Sequence, residues 1–273
     1  MFRSALVTLA FCLILPNLTL SADHARLKAF LEITGFGVSL ESIRLSASAA
    51  PEMLGLEADD FGSEWTRLTN QVFDPANMNL MAINILSETL SDELLRHATE
   101  FYATDLGRRL VVTENASHMD DQGALKSEGG AAIVAGLERL NSPRLGYLRR
   151  MNAAADSSGT ALRAIQEVQV RFLMAAANAG VIELQLEEPE LRALLSADQD
   201  ALRADLDQGA LIGAAYTYQT FSDAEILSYA QALEHPKMRR VYDLMNAVQY
   251  EIMANRFEAL ALAMRKLQPS QDL

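Results

Sequence analysis

A chain of 273 residues, half of them hydrophobic and 22% charged, is long enough to bury one large core or two modest ones, which excludes a disordered chain. Its 36 acidic residues outnumber 23 basic ones, and a formal charge of −13 repels nucleic acid and anionic lipid surfaces; it either attracts basic partners from a distance or serves solubility alone.

The N-terminus combines Arg3, an apolar run from Ala5 to Leu15, a breaking Pro16 and small residues at Ser21 and Ala22. That is the layout of a secretory signal peptide over residues 1–22, so the mature chain is expected to be periplasmic or secreted. The run is shorter than the ~20 apolar residues a membrane span needs, and no transmembrane segment is expected in the mature chain. Cys12, the only cysteine, sits in this run behind the bulky Phe11, which does not suit a lipoprotein processing site. Its removal with the leader excludes disulfides, zinc–cysteine sites and cysteine nucleophiles together.

Apolar spacing then predicts helices over His24 to Ile33, Leu40 to Met53 with an interruption near Pro51, Asp59 to Phe73 and Asn77 to Leu86. The stretch from Leu90 to Leu110 reads as two short helices with a joint. Ser91 is a good N-cap, Asp92 and Glu93 suit the helix dipole, and Leu90 with Leu95 forms a hydrophobic staple. Leu94, Leu95, Ala98, Phe101 and Tyr102 stand three and four apart, so one face must be buried. Thr104 caps the second helix, which carries Asp105, Gly107, Arg108 and Arg109. A glycine inside a helix costs about 1 kcal/mol against alanine, and at Gly107 it points to close backbone approach at the elbow.

Asp120 to Gly130, polar and glycine-rich, reads as the joint between two halves. Further helices are expected over Ala131 to Leu140, Arg144 to Ala155, Thr160 to Ala179, Pro189 to Leu195, Asp198 to Leu206 and Ala210 to Thr220. The apolar face of Thr160 to Ala179, with Leu162, Ile165, Val168, Phe172 and Leu173, is expected to pack against the first half. At Phe221 to Val241, 131 residues after the first elbow, the same helix start returns more completely: Ser222 and Glu225 form a capping box and Phe221 with Ile226 the staple. Pro236 takes the first-turn position, and Arg239 and Arg240 repeat the basic pair at the same offset. The last helix, Pro236 to about Leu267, carries one heptad stripe of Met238, Val241, Met245, Val248 and Ile252. A second stripe, Met253, Phe257, Leu260, Met264 and Leu267, is stepped round by one residue. Its first part should pack on the second unit and its last part on the first half or a partner subunit.

The predicted fold is therefore all-α, two similar helical units in tandem with a long C-terminal helix. The boundaries are 1–22 for the leader, 23–122 for the first unit, 123–158 for a linker with connecting helices and 159–273 for the second unit. No period-two alternation calls for strands.

Phe101, Tyr102, Thr104, Gly107, Arg108 and Arg109 resemble the signature of a bacterial envelope family, domain of unknown function 2059: an acidic helix ending in Phe-Tyr, then Ser-Pro-x-Gly and a basic pair. Asp105 stands where that pattern has proline. The second stretch keeps Pro236, Arg239 and Arg240 but has Ala232, Leu233 and Met238 for Phe, Tyr and Gly. The resemblance implies an exported all-helical protein with no assigned activity.

Chemistry-bearing patterns are few. His24, His97, His118 and His235 are scattered, and His118-Met119-Asp120-Asp121 reads as a polar helix end, so no metal ligand is called. There is no nucleophile elbow, phosphate loop or dinucleotide fingerprint, so no catalytic or cofactor-binding residue is called. Glu187-Glu188 and Asp59-Asp60 sit where helix dipoles explain them. The methionines recur at core spacing and not as copper-binding clusters, and Asn115-Ala116-Ser117 is a chance glycosylation tripeptide in a bacterial-looking export context. The sequence therefore supports a non-enzymatic envelope module binding a protein partner or itself. The alternative is a carrier of an apolar small molecule held between Thr160 to Ala179 and Pro236 to Leu267; a hydrolase is the remaining rival, with no nucleophile and base to name.

Overall fold

A computed structural model of the chain describes residues 18–56, 62–156 and 159–267; most of the expected leader, Cys12 included, and Asp59-Asp60 lie outside these. Among the described residues every regular element is helical and no helix is long and apolar enough to cross a membrane. The first half runs α1 (Leu18–Ile33), α2 (Phe36–Ser46), a 3-10 turn at Ala47–Ala49, α3 (Ala50–Met53), α4 (Gly62–Val72), α5 (Pro75–Thr89), α6 (Asp92–Tyr102) and α7 (Asp105–Met119). Two connecting helices follow, α8 (Gly123–Arg139) and α9 (Arg144–Ala155). The rest is α10 (Thr160–Asn178), α11 (Glu188–Leu195), α12 (Gln199–Thr217), α13 (Asp223–Glu234) and α14 (Pro236–Met264).

The 29 residues of α14, about 43 Å of helix at 1.5 Å per residue, form the strut on which the others lean. α10 lies along it for most of its length, and α5, α6, α4 and α13 pack around it. The stripe from Met238 to Ile252 is buried throughout, and the buried face then steps round to Ala254, Phe257, Leu260, Ala261 and Met264. Phe257 meets Phe73 and Phe172 edge-on, each at 5.5 Å, so the last part of α14 is covered by the first half and by α10. The apolar face of α10 packs on α14 and not chiefly on the first half: Val168, Phe172 and Ala176 are buried there, whereas Ile165 and Leu173 are half-buried.

Two glycine-containing stretches also differ from expectation. Residues 123–130 are not a joint but the first half of α8, which packs closely on α12. At Gly130 a Cβ would stand 2.3 Å from the Ile212 carbonyl oxygen, so the glycine marks a helix crossing that only a missing side chain permits. The break expected after Leu206 is absent, because Gly209 faces open space and α12 runs through it at the ordinary cost of a helical glycine. One core, spanning residues from Leu27 to Met264, joins these elements except α11, whose buried Leu191 lies outside it.

Candidate functional site

The helix starts of the two elbows coincide: α6 and α13 begin at Asp92 and Asp223, α7 and α14 at Asp105 and Pro236, while α13 runs one residue further than α6. In the first, the Ser91 hydroxyl accepts from the Leu94 amide at 3.4 Å. The chain turns at Ala103 and Thr104; Thr104 donates to the Phe101 carbonyl at 2.7 Å and accepts from the Gly107 amide at 3.0 Å. That carbonyl points back into the first turn of α7. A Cβ on Gly107 would lie 2.4 Å from it and 2.6 Å from Tyr102 Cα, so the glycine is the contact. In the second elbow His235 alone forms the joint, its Nδ1 accepting from the Lys237 amide, and Met238 is fully buried in the position equivalent to Gly107.

The elbows face each other. Glu93, in the first turn of α6, pairs with Lys237 at 2.7 Å, and Glu225, in the first turn of α13, pairs with Arg109 at 2.5 Å. The Ser222 backbone amide and hydroxyl, and then Arg109, hold the Glu225 carboxyl down at about 2. Arg109 also lies over the Phe221 ring, 4.9 Å from its centroid. His97 stacks on His235 with centroids 4.3 Å apart, so two of the scattered histidines meet in space, and burial together with this neighbour lowers the His97 pKa. Of the remaining motif residues, Phe101 stacks on Tyr229 at 5.8 Å and Tyr102 is buried. Arg108 turns back to Asp105 and the Ala103 carbonyl, while Pro236, Arg239 and Arg240 are exposed.

Behind this interface lies a group of side chains that motif reading missed. Gly107, Leu110, Val111 and Glu114 follow one another at helical spacing on the inward face of α7, so a carboxylate is carried where apolar residues are expected. The Tyr218 hydroxyl donates to Glu114 Oε1 at 2.7 Å. Arg144, a buried cation at the start of α9, donates to the Tyr218 and Phe221 carbonyls and to Asp223, which fixes the turn that presents Tyr218. Tyr102 from α6, Tyr229 from α13 and Tyr242 from α14 close a triangle of hydroxyl contacts at 2.5, 2.9 and 3.3 Å. Burial raises the Glu114 pKa, opposed by the Tyr218 and Tyr229 hydroxyls. Burial and the Glu114 charge push Tyr218 and Tyr229 well up, and Tyr102 rises through burial and its Tyr242 neighbour.

Two clefts open onto this group and share Glu114 and Tyr242. One, about 260 Å³, lies between α7, α9, α12, α13 and α14; the other, about 130 Å³, lies between the turn at Gly35, α7 and α14. Asn115, beside Glu114, lines the smaller cleft, and its Oδ1 is buried without a hydrogen-bond partner. A larger cleft elsewhere, about 790 Å³, is less telling. It mixes Arg149 and Arg203 with Asp156, Asp205 and Asp207, and Asp156 spends both oxygens capping α10 at the Thr160 and Ala161 amides. Among the described residues no cluster of three or more potential ligands is arranged to hold a metal.

Residues 76–135 match the family described as uncharacterized protein conserved in bacteria, domain of unknown function 2059. This segment runs from α5 into α8 and contains the first elbow, Tyr102 and Glu114, whereas Tyr218, Tyr229 and Tyr242 fall outside it. No curated protein and no solved structure gives a match.

Proposed function

We propose that this chain is a non-enzymatic binding module of the bacterial envelope, and that it recognises its ligand at Glu114, where the two elbows meet. The observation that carries this reading is a carboxylate set among tyrosines on the buried face of α7, with no lysine or arginine among the described residues in ion-pair contact with it. A half-buried charge of this kind costs stability unless a partner satisfies it. Other carboxylates at helix contacts have their cation: Asp223 has Arg144, Glu234 has Arg150, and Glu251 and Glu258 share Arg171.

Proton-transfer chemistry wants a pair of groups whose pKa values are driven apart. The raised Glu114 would suit a general acid, yet its hydroxyl neighbours all move upward as well, away from any use as base or nucleophile near neutral pH. Placement in the envelope rests on the leader pattern of residues 1–22. Descent of both elbows from one unit rests on their coincident helix starts, capping serines and basic pairs. The apolar-carrier reading has less support, because the α10–α14 seam is filled by Val168, Phe172 and Phe257. The cleft beside it, about 330 Å³, is rimmed by Arg163, Glu167 and Glu251.

Native mass spectrometry of the protein purified from the periplasm tests the proposal. The wild type is expected to carry a small-molecule adduct that Glu114→Gln lacks. A wild type that carries none, and gains none on incubation with periplasmic extract, contradicts it.

A further inference from the structure

Resting on that reading, we infer that the larger cleft takes a small organic ammonium ion, with the Glu114 carboxylate as its counter-ion and Tyr218, Tyr229 and Tyr242 as an aromatic wall. Four observations converge on this chemistry. First, among the described residues Glu114 is the one charged side chain lining this cleft, and Arg109, Arg144 and Arg150 are paired with Glu225, Asp223 and Glu234. Second, the hydroxyls of Tyr102, Tyr229 and Tyr242 are spent on one another, and that of Tyr218 on Glu114, so the aromatic residues offer the cleft rings more than hydrogen-bonding groups. Ring faces beside a carboxylate are what an ammonium group binds, by cation–π attraction and charge pairing together. Third, the remaining lining includes Met151, Ala214 and Leu233, apolar surface suited to the methyl or methylene groups that such an ion carries. Fourth, about 260 Å³ lies just below the range of pockets for drug-sized ligands, so the occupant has only a handful of heavy atoms.

A bare metal ion fits poorly, since a site of several carboxylate or imidazole ligands is not present among the described residues. An anion would meet the Glu114 charge directly and a net charge of −13 at longer range.

Isothermal titration calorimetry of the whole mature chain with choline and n-butylammonium decides the matter, using 3,3-dimethylbutan-1-ol as the uncharged counterpart of choline and potassium chloride as the bare cation. The expected result is one site for at least one ammonium probe, at least about tenfold tighter than for the alcohol, and not displaced by equimolar potassium. Glu114→Gln should lose about tenfold or more of that affinity, whereas Arg239→Ala on the outer surface should lose none. Equal binding of choline and the alcohol, displacement by potassium, or no binding of either ammonium probe overturns the inference, and these comparisons need no variant. A neutral or anionic ligand retained by the wild type and lost in Glu114→Gln would overturn the ammonium assignment while leaving the binding module in place. No retained ligand and no probe binding would remove both.

Discussion

The two elbows solve one problem in opposite ways. In the first, α6 ends on a turn whose Phe101 carbonyl folds back over α7, and room for it is made by leaving a side chain out at Gly107. In the second, a single joint residue, His235, links the helices, and the equivalent position is filled by Met238, which is completely buried. The first helix start has one capping bond, from Leu94 to Ser91; the second has a reciprocal capping box and a staple, Phe221 with Ile226, that is buried in the core. One unit is thus held by backbone approach and the other by side-chain packing, and opposite substitutions at equivalent positions should both be harmful.

The largest expected effect is in the packed elbow. Met238→Ala empties a fully buried site and should cost about 2–5 kcal/mol, read as a lowered urea midpoint. Gly107→Ala adds one carbon against backbone atoms that cannot rotate away and should cost about 1–3 kcal/mol despite alanine's helix propensity. A midpoint that rises instead would show that the first elbow does not depend on close approach. The caps come next. Ser222→Ala, which dismantles the capping box, should cost about 1–2 kcal/mol, and Ser91→Ala, which removes one long hydrogen bond, nearer 0.5 kcal/mol. Equal losses would mean that the two helix starts are energetically alike. Smallest are the crossed ion pairs on the surface. Arg109→Ala and Lys237→Ala should each cost about 0.2–1 kcal/mol in thermal melts, with Arg109 the larger because it also covers the Phe221 ring.

Much of this was legible from sequence because caps and apolar spacing are local. Arg144 to Ala155 forms a helix at its predicted ends, both elbows start where their serines indicate, and the step in the α14 stripe coincides with a change in what covers it. Residues 123–130 misled because glycine usually signals a joint. Gly130 is explained only by the Ile212 carbonyl of a helix some eighty residues away, a contact that no local pattern records. The site was half legible. Glu114 sits one helical turn after Leu110 and Val111, so a charge on a buried face was there to be read. Tyr102, Tyr218, Tyr229 and Tyr242 share no spacing, and only the meeting of the two elbows brings them together.

The claim that Glu114 carries a charge with no internal counter-ion is tested most directly by urea melts of the wild type and Glu114→Gln across pH, without added ligand. A carboxyl whose folded pKa is raised binds its proton more tightly in the folded state, so wild-type stability should fall as pH rises from the ordinary carboxyl range through the raised value. Glutamine at this position removes that dependence while still accepting from Tyr218. The account predicts that the two proteins are close in stability below about pH 4 and that the variant becomes the more stable one at neutral pH. A wild type that is more stable than the variant at neutral pH, or two curves that run parallel throughout, would show that the chain already neutralises Glu114 and has no need of a ligand there.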